Sequence, residues 1–263
     1  MNSTKRIPVD GVGPVELSFT ERGEGQPFLL LHGGGGPLTV NAFADLLAGQ
    51  RNVRVITPTH PGFGGTPRPD SLSSIGGLAA LYTALLAELD LEDVTVIGNS
   101  IGGWIAAEMA LLDTNRISRF VIVDGVGIEV PGHPVADFFA LTPRQLAEKS
   151  YHDPDRFGID PSKLSPEALQ VMAGNRSAIA VYAGAMSDAG LEQRLAGVTT
   201  PTLVVWGDSD RIGDVEYGRA FAKSIPGSRF QLLKDTGHLP QIETPGQLLD
   251  AISAFVERQV QAR

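Results

Sequence analysis

Short runs rich in apolar residues recur along the chain at 27–31, 53–57, 94–97, 117–123 and 202–206, the first of them without interruption. A continuous apolar run is expected of a strand buried on both faces. Residues 15–19 differ: Val15, Leu17 and Phe19 alternate with polar neighbours, the pattern of a half-buried strand, and Gly23-Glu24-Gly25 turns it. A further strand is predicted at 229–233. Between these runs the apolar spacing changes to that of helices, at 41–47, 74–89, 104–110, 216–224 and 245–258, with Ser73 placed to cap the second of them. Strands alternating with helices predict an α/β fold with a doubly wound, mostly parallel sheet.

The rhythm breaks between Val126 and Gly197. Prolines at 131, 134, 143, 154, 161 and 166 divide this stretch into short pieces, and several helical fragments fit between Thr142 and Leu195. It reads as a helical cap inserted at 126–197 into a core made of 1–125 and 198–263. Phe138, Phe139 and Tyr182 from the insertion, with Trp104, Gly35 and Leu239 from the core, are expected to bound an apolar pocket.

In open parallel sheets, ligands bind outside the carboxyl ends of the strands. The loops that should meet there are unusual in composition. They are His32-Gly33-Gly34-Gly35-Gly36-Pro37, His60-Pro61-Gly62-Phe63-Gly64, Gly98-Asn99-Ser100-Ile101-Gly102, Asp208-Ser209-Asp210 and Gly237-His238. The third fits G-x-S-x-G between a strand and a helix, a turn that exposes a serine hydroxyl and needs neighbours without a Cβ. Ser100 is thus a candidate nucleophile.

A serine hydroxyl needs a base that titrates near neutrality, which points to histidine. Of the five histidines, His32 and His60 precede glycine loops and suit a bracing role, while His133 and His152 fall in the insertion. His238 follows the last strand and is the candidate base. An acid must then hold the imidazole in one tautomer. Asp210, three residues past Gly207, is preferred, with Asp208 as a turn residue and Asp124 in reserve.

Composition narrows the field further. Hydrophobic residues at 42% and charged residues at 19% suit one large soluble α/β domain. A net charge of −9 with no basic run argues against nucleic acid or an anionic membrane as partner. The absence of cysteine excludes disulfides and thiolate metal sites. The acid and histidine spacing shows no metal-ligand pattern and the glycine loops lack a P-loop lysine, so neither metal nor cofactor is expected. No run approaches the ~18 apolar residues of a membrane span, and no apolar stretch backs Lys5 and Arg6. The expectation is a cytoplasmic protein acting on a small-molecule substrate, with homo-oligomerisation left open.

Taken in order, these motifs resemble those of α/β hydrolases from about Val15 to Arg258, including Glu243-Thr244-Pro245 after the histidine. The resemblance implies a Ser100–Asp210–His238 triad. It also implies an oxyanion hole from the N–H groups of Ile101 and Gly34, with Gly35 as the alternative because the run has an extra glycine. Ile212-Gly213-Asp214 stands where many relatives place a proline. Dehalogenases and epoxide hydrolases of this fold use an aspartate at the position of Ser100. The chain is most similar to carboxylesterases, enol-lactonases and the C–C hydrolases of aromatic breakdown, and cofactor-free perhydrolases share the triad. The C–C hydrolases commonly have a tryptophan where Leu239 stands, and they bind acidic substrates through a cap arginine, here Arg176 or Arg194. The resemblance implies a serine hydrolase of small, largely apolar esters or lactones. Cleavage of a vinylogous diketone is the alternative reaction, and a small-molecule receptor with little turnover is the alternative class.

Overall fold

A computed structural model of the chain describes residues 2–50, 52–112 and 114–261. The apolar runs become the inner strands of a sheet whose two faces are both covered, as continuous apolar sequence requires. The strands are β1 (Asn2–Val9), β2 (Gly13–Gly23), β3 (Gln26–Leu31), β4 (Val53–Pro58), β5 (Val94–Asn99), β6 (Ile117–Val123), β7 (Thr202–Gly207) and β8 (Arg229–Leu233). They lie in the order β1-β2-β4-β3-β5-β6-β7-β8. β1 pairs antiparallel with β2 and β2 with β4, and every other pairing is parallel. This is the α/β-hydrolase fold.

The two-residue period of a strand divides its side chains between two cores. On β3, Leu29 and Leu31 join one cluster while Phe28 and Leu30 join the other. The first cluster packs under α2 (Ile75–Glu88), α3 (Ile101–Leu111) and α8 (Val215–Ser224). The second packs under α1 (Leu38–Ala48) and α10 (Pro245–Gln261), through Val40, Phe43, Leu248, Ile252 and Phe255. Each such side chain buried contributes about 2 kcal/mol.

Between β6 and β7 the chain leaves the sheet and forms α4 (Pro143–Ser150), α5 (Pro154–Phe157), a 3₁₀ turn (Pro161–Lys163), α6 (Pro166–Ala183) and α7 (Leu191–Leu195). Pro143, Pro154, Pro161 and Pro166 stand at helix starts, where a missing N–H costs nothing. α6 reaches back over the sheet: the Tyr182 hydroxyl donates to the Pro61 carbonyl at 2.9 Å. One more short helix, α9 (Pro240–Glu243), follows the loop after β8.

Three local expectations are corrected. Residues 2–9 form a strand that the sequence pattern does not announce, because only Ile7 and Val9 of it are buried and pairing with β2 supplies the rest. Ser74, not Ser73, caps α2, its hydroxyl accepting from the Gly77 N–H at 3.1 Å. The helices expected at 41–47 and 104–110 begin three residues earlier, at Leu38 and Ile101. Among the described residues no helix is long and apolar enough to cross a membrane.

Candidate active site

The loop between β5 and α3 is built by two close approaches. A Cβ on Gly98 would lie 2.1 Å from the Gly102 carbonyl oxygen, and one on Gly102 would lie 2.5 Å from that of Leu31. Only glycine fits either place. Between them Ser100 adopts φ 57° and ψ −121°, a sparsely populated conformation for a residue with a side chain. It immediately precedes α3, whose first-turn N–H groups have no acceptor within the helix and carry the positive end of its dipole. The strain is thus located at the candidate nucleophile.

The glycine loop after β3 comes up to the same serine: a Cβ on Gly33 would meet the Ser100 Cβ at 3.0 Å. Two histidines brace the loop. His32 Nδ1 donates to the Gly33 carbonyl at 2.8 Å, and its Nε2 accepts from the His60 N–H at 3.1 Å. His60 Nε2 donates to the His32 carbonyl at 2.9 Å, and its Nδ1 accepts from the Tyr82 hydroxyl. Every ring nitrogen is engaged as in a neutral imidazole. Burial pulls the pKa of His32 down to about 4 and, with the neighbouring His32 ring, holds His60 well below the usual range.

The loops after β7 and β8 bring Asp210 and His238 together. His238 Nδ1 lies 2.8 Å from Asp210 Oδ2. The other carboxylate oxygen of Asp210 accepts from the N–H groups of Ile212 at 2.7 Å and Gly213 at 3.3 Å. A proline at 212 could not supply the first of these. The His238 main chain is anchored at both ends, its N–H donating to the Ser150 carbonyl at 2.7 Å and its carbonyl accepting from the Asn99 amide at 2.9 Å. An imidazole held this way through Nδ1 presents Nε2 as a base.

Asp208 is a turn residue, its carboxylate accepting from Ser209 Oγ and the Thr236 N–H. His133 is half-buried beside Asp214, and His152 is exposed beside Ser209. Asp124 is wholly buried at the end of β6 and accepts from the Gly207 N–H at 2.8 Å. Asp124, Asp210 and His238 each offer an atom within 4.8 Å of the others, a spacing that a metal ion could bridge. His238 Nδ1 is already engaged by Asp210, so the trio suits proton and charge handling better than metal ligation.

A cavity of about 440 Å³ opens over these loops, lined by Ser100, His238, Ile101, Gly34, Gly35, Phe138 and Leu239 among others. Three residues expected in it are placed elsewhere. Trp104 lies one full turn into α3, and its indole packs against Gly127 in the core. Tyr182 is buried with its hydroxyl on Pro61. Phe139 stands edge-on behind Phe138, the ring centroids 5.4 Å apart, and packs on the core. The lining instead draws on α4 and α6, through Leu146, Ala147, Leu169, Met172 and Ile179.

The two candidate arginines separate. Arg194 is committed to Glu108, with bonds of 2.7 and 2.8 Å, and to Asp188. Arg176 lines the cavity, with its guanidinium over the rings of Phe138 and Phe139. Asn175 is a contact that no sequence signal marks. Its side chain accepts from the Gly64 N–H at 2.9 Å and donates to the Gly35 carbonyl at 3.2 Å, tying α6 to both glycine loops.

Residues 28–251 match the profile described as the alpha/beta hydrolase family. A 2-hydroxymuconate semialdehyde hydrolase of Pseudomonas putida is 28% identical over 279 residues, spanning 97% of each chain. Lipase 1 of Psychrobacter immobilis is also 28% identical, over 256 residues that cover 91% of this chain and 80% of the lipase. The solved structure of a thermophilic esterase from Thermogutta terrifontis, with malate bound, superposes with a TM-score of 0.78 at 25% identity. It covers 97% of this chain and 98% of the esterase.

Proposed function

The chain belongs to the alpha/beta hydrolase family, and on that premise we propose that it is a serine hydrolase of small, largely apolar carboxylic esters or lactones. One observation carries the proposal: Ser100 and His238 open on the same cavity, and His238 is held by Asp210 at 2.8 Å. In the proposed reaction His238 takes the Ser100 proton as the hydroxyl attacks the carbonyl. The N–H groups of Ile101 and Gly34 receive the oxyanion, each contributing about 3 kcal/mol. The alcohol, or the opened end of a lactone, leaves with the proton from His238. Water deprotonated by His238 then cleaves the acyl-enzyme. The segment 126–197 acts as a cap that keeps bulk water from the cavity, and the bonds of Asn175 to both glycine loops support that role.

The test is turnover of a p-nitrophenyl ester, which the protein should release over many cycles. Ser100→Ala should abolish it while leaving the circular dichroism spectrum unchanged. A single burst of product followed by silence would support a small-molecule receptor instead.

A second reading, C–C hydrolysis of a vinylogous diketone acid, is favoured by Arg176 on the cavity wall and by the Pseudomonas putida relative. Neutral esters and diketone acids assayed side by side separate the two. If the acid is the substrate, Arg176→Met should raise its KM by on the order of 10–100-fold, the loss of one charge-assisted contact, and leave neutral esters unaffected.

A further inference from the structure

We propose that Asp124 is a neutral carboxylic acid whose hydroxyl hydrogen-bonds to the Asp210 carboxylate, making it a positioning residue for the Asp210–His238 pair. The proposal rests on the serine-hydrolase function above.

Asp124 occupies the first position after β6 in a left-handed conformation, φ 46°, and is wholly buried. One of its oxygens accepts from the Gly207 N–H at 2.8 Å. The other is buried and receives no donor among the described residues. A carboxylate left in that state would bear most of its desolvation cost uncompensated. Asp210 is provided for differently: Ile212, Gly213 and His238 direct three donors at its two oxygens. Asp124 and Asp210 each offer a carboxyl oxygen within 4.8 Å of the other's. Two carboxylates this close in a buried site do not both stay ionised, and the one with fewer donors keeps the proton. Three donors against one assign the charge to Asp210 and the proton to Asp124, whose hydroxyl then gives its partnerless oxygen a bond to make.

The titratable groups around Asp124 are Asp210 from the loop after β7, His238 from the loop after β8 and Glu243 from α9. Burial first, and then the charge of Asp210, push the Asp124 carboxyl well above the usual carboxylate range. By donating to Asp210, Asp124 weakens it as an acceptor and so moderates the basicity of His238. The backbone bond to Gly207 alone would be a purely structural role, and it predicts no such effect on titration.

Asparagine at 124 discriminates, because it keeps an acceptor for Gly207 and an N–H donor for Asp210 but cannot ionise. The infrared spectrum of the protein at pH 8 should contain a protonated-carboxyl C=O band that Asp124→Asn removes. The acidic limb of kcat/KM for a neutral p-nitrophenyl ester should stay within about 0.3 pH unit of the parent. Asp124→Ala, which removes the donor, should move that limb to higher pH. If Asp124 is ionised instead, Asn removes no such band. It also shifts the limb down by about one unit or more, since a buried negative charge beside the imidazolium is lost. That result would overturn the proposal, as would a collapse of turnover in Asp124→Asn with Asp210→Asn unaffected. Should Asp124→Ala fail to fold, the infrared band and the Asn profile decide alone. Full ester turnover by Ser100→Ala would sink the serine-hydrolase function, while the infrared band would still report on the proton of Asp124.

Discussion

The side-chain amide of Asn99 donates to the main-chain carbonyl of His238 at 2.9 Å, joining the last residue of β5, next to Ser100, to the loop that carries the imidazole. The same amide lies 3.2 Å from the Val123 carbonyl, and Gln241 donates to the Asn99 oxygen at 3.0 Å. Asn99→Leu keeps the volume but strands these partners in the interior. It should cost about 3 kcal/mol in urea unfolding and lower kcat more than it raises KM.

Asp210→Asn leaves an oxygen for the Ile212 and Gly213 N–H groups but presents the wrong partner to His238 Nδ1. The expected result is a kcat lower by on the order of 10⁴ with a nearly unchanged melting temperature. Steady-state kinetics and calorimetry on the same preparation measure both.

His32 and His60 make folding sensitive to acid. A histidine of the unfolded chain titrates near 6.5, whereas burial holds His32 at about 4 and lowers His60 as well. The unfolded chain therefore binds more protons between these values, and stability present above pH 6.5 is lost as pH falls toward 4. His32 alone accounts for about 3 kcal/mol over that window. Urea midpoints at pH 7, 6 and 5 should fall stepwise, and a flat series would contradict a neutral buried pair.

Phe138 and Tyr182 should separate in their effects, although both are aromatic residues of the insertion. Phe138→Ala enlarges the cavity and should raise KM for apolar esters several-fold with little loss of stability, since this side chain is only partly buried. Tyr182→Phe should leave KM unchanged and cost about 1 kcal/mol of stability, the value of its bond to Pro61.

The contrast between those two aromatics marks where reading the chain stops. Residues 94–104 announce a buried strand, a turn between glycines and a helix, because apolar continuity and the steric demand of G-x-S-x-G are local properties. The mostly parallel, doubly wound sheet follows from alternation, though its strand order does not, and convergence of the glycine loops follows from where parallel sheets put their carboxyl ends. Asp210 and His238 were legible as loop residues after strands, and the structure brings them within 2.8 Å. β1 was not legible, because its burial comes from β2 and not from its own composition.

The chain by itself determined the inner strands of the sheet, the serine turn between glycines and the loops that meet above it, since each depends on the shape and polarity of adjacent residues. Only the tertiary structure decided which side chains of 126–197 face the cavity. Helical spacing identifies which residues of α6 share a face but not which way that face is turned. The rotation comes from long-range contacts such as Asn175 on Gly35 and Gly64, and Tyr182 on Pro61. The protonation of Asp124 belongs to the same class. It depends on burial and on a second carboxyl 86 residues away, Asp210, and neither is visible from the sequence around Asp124.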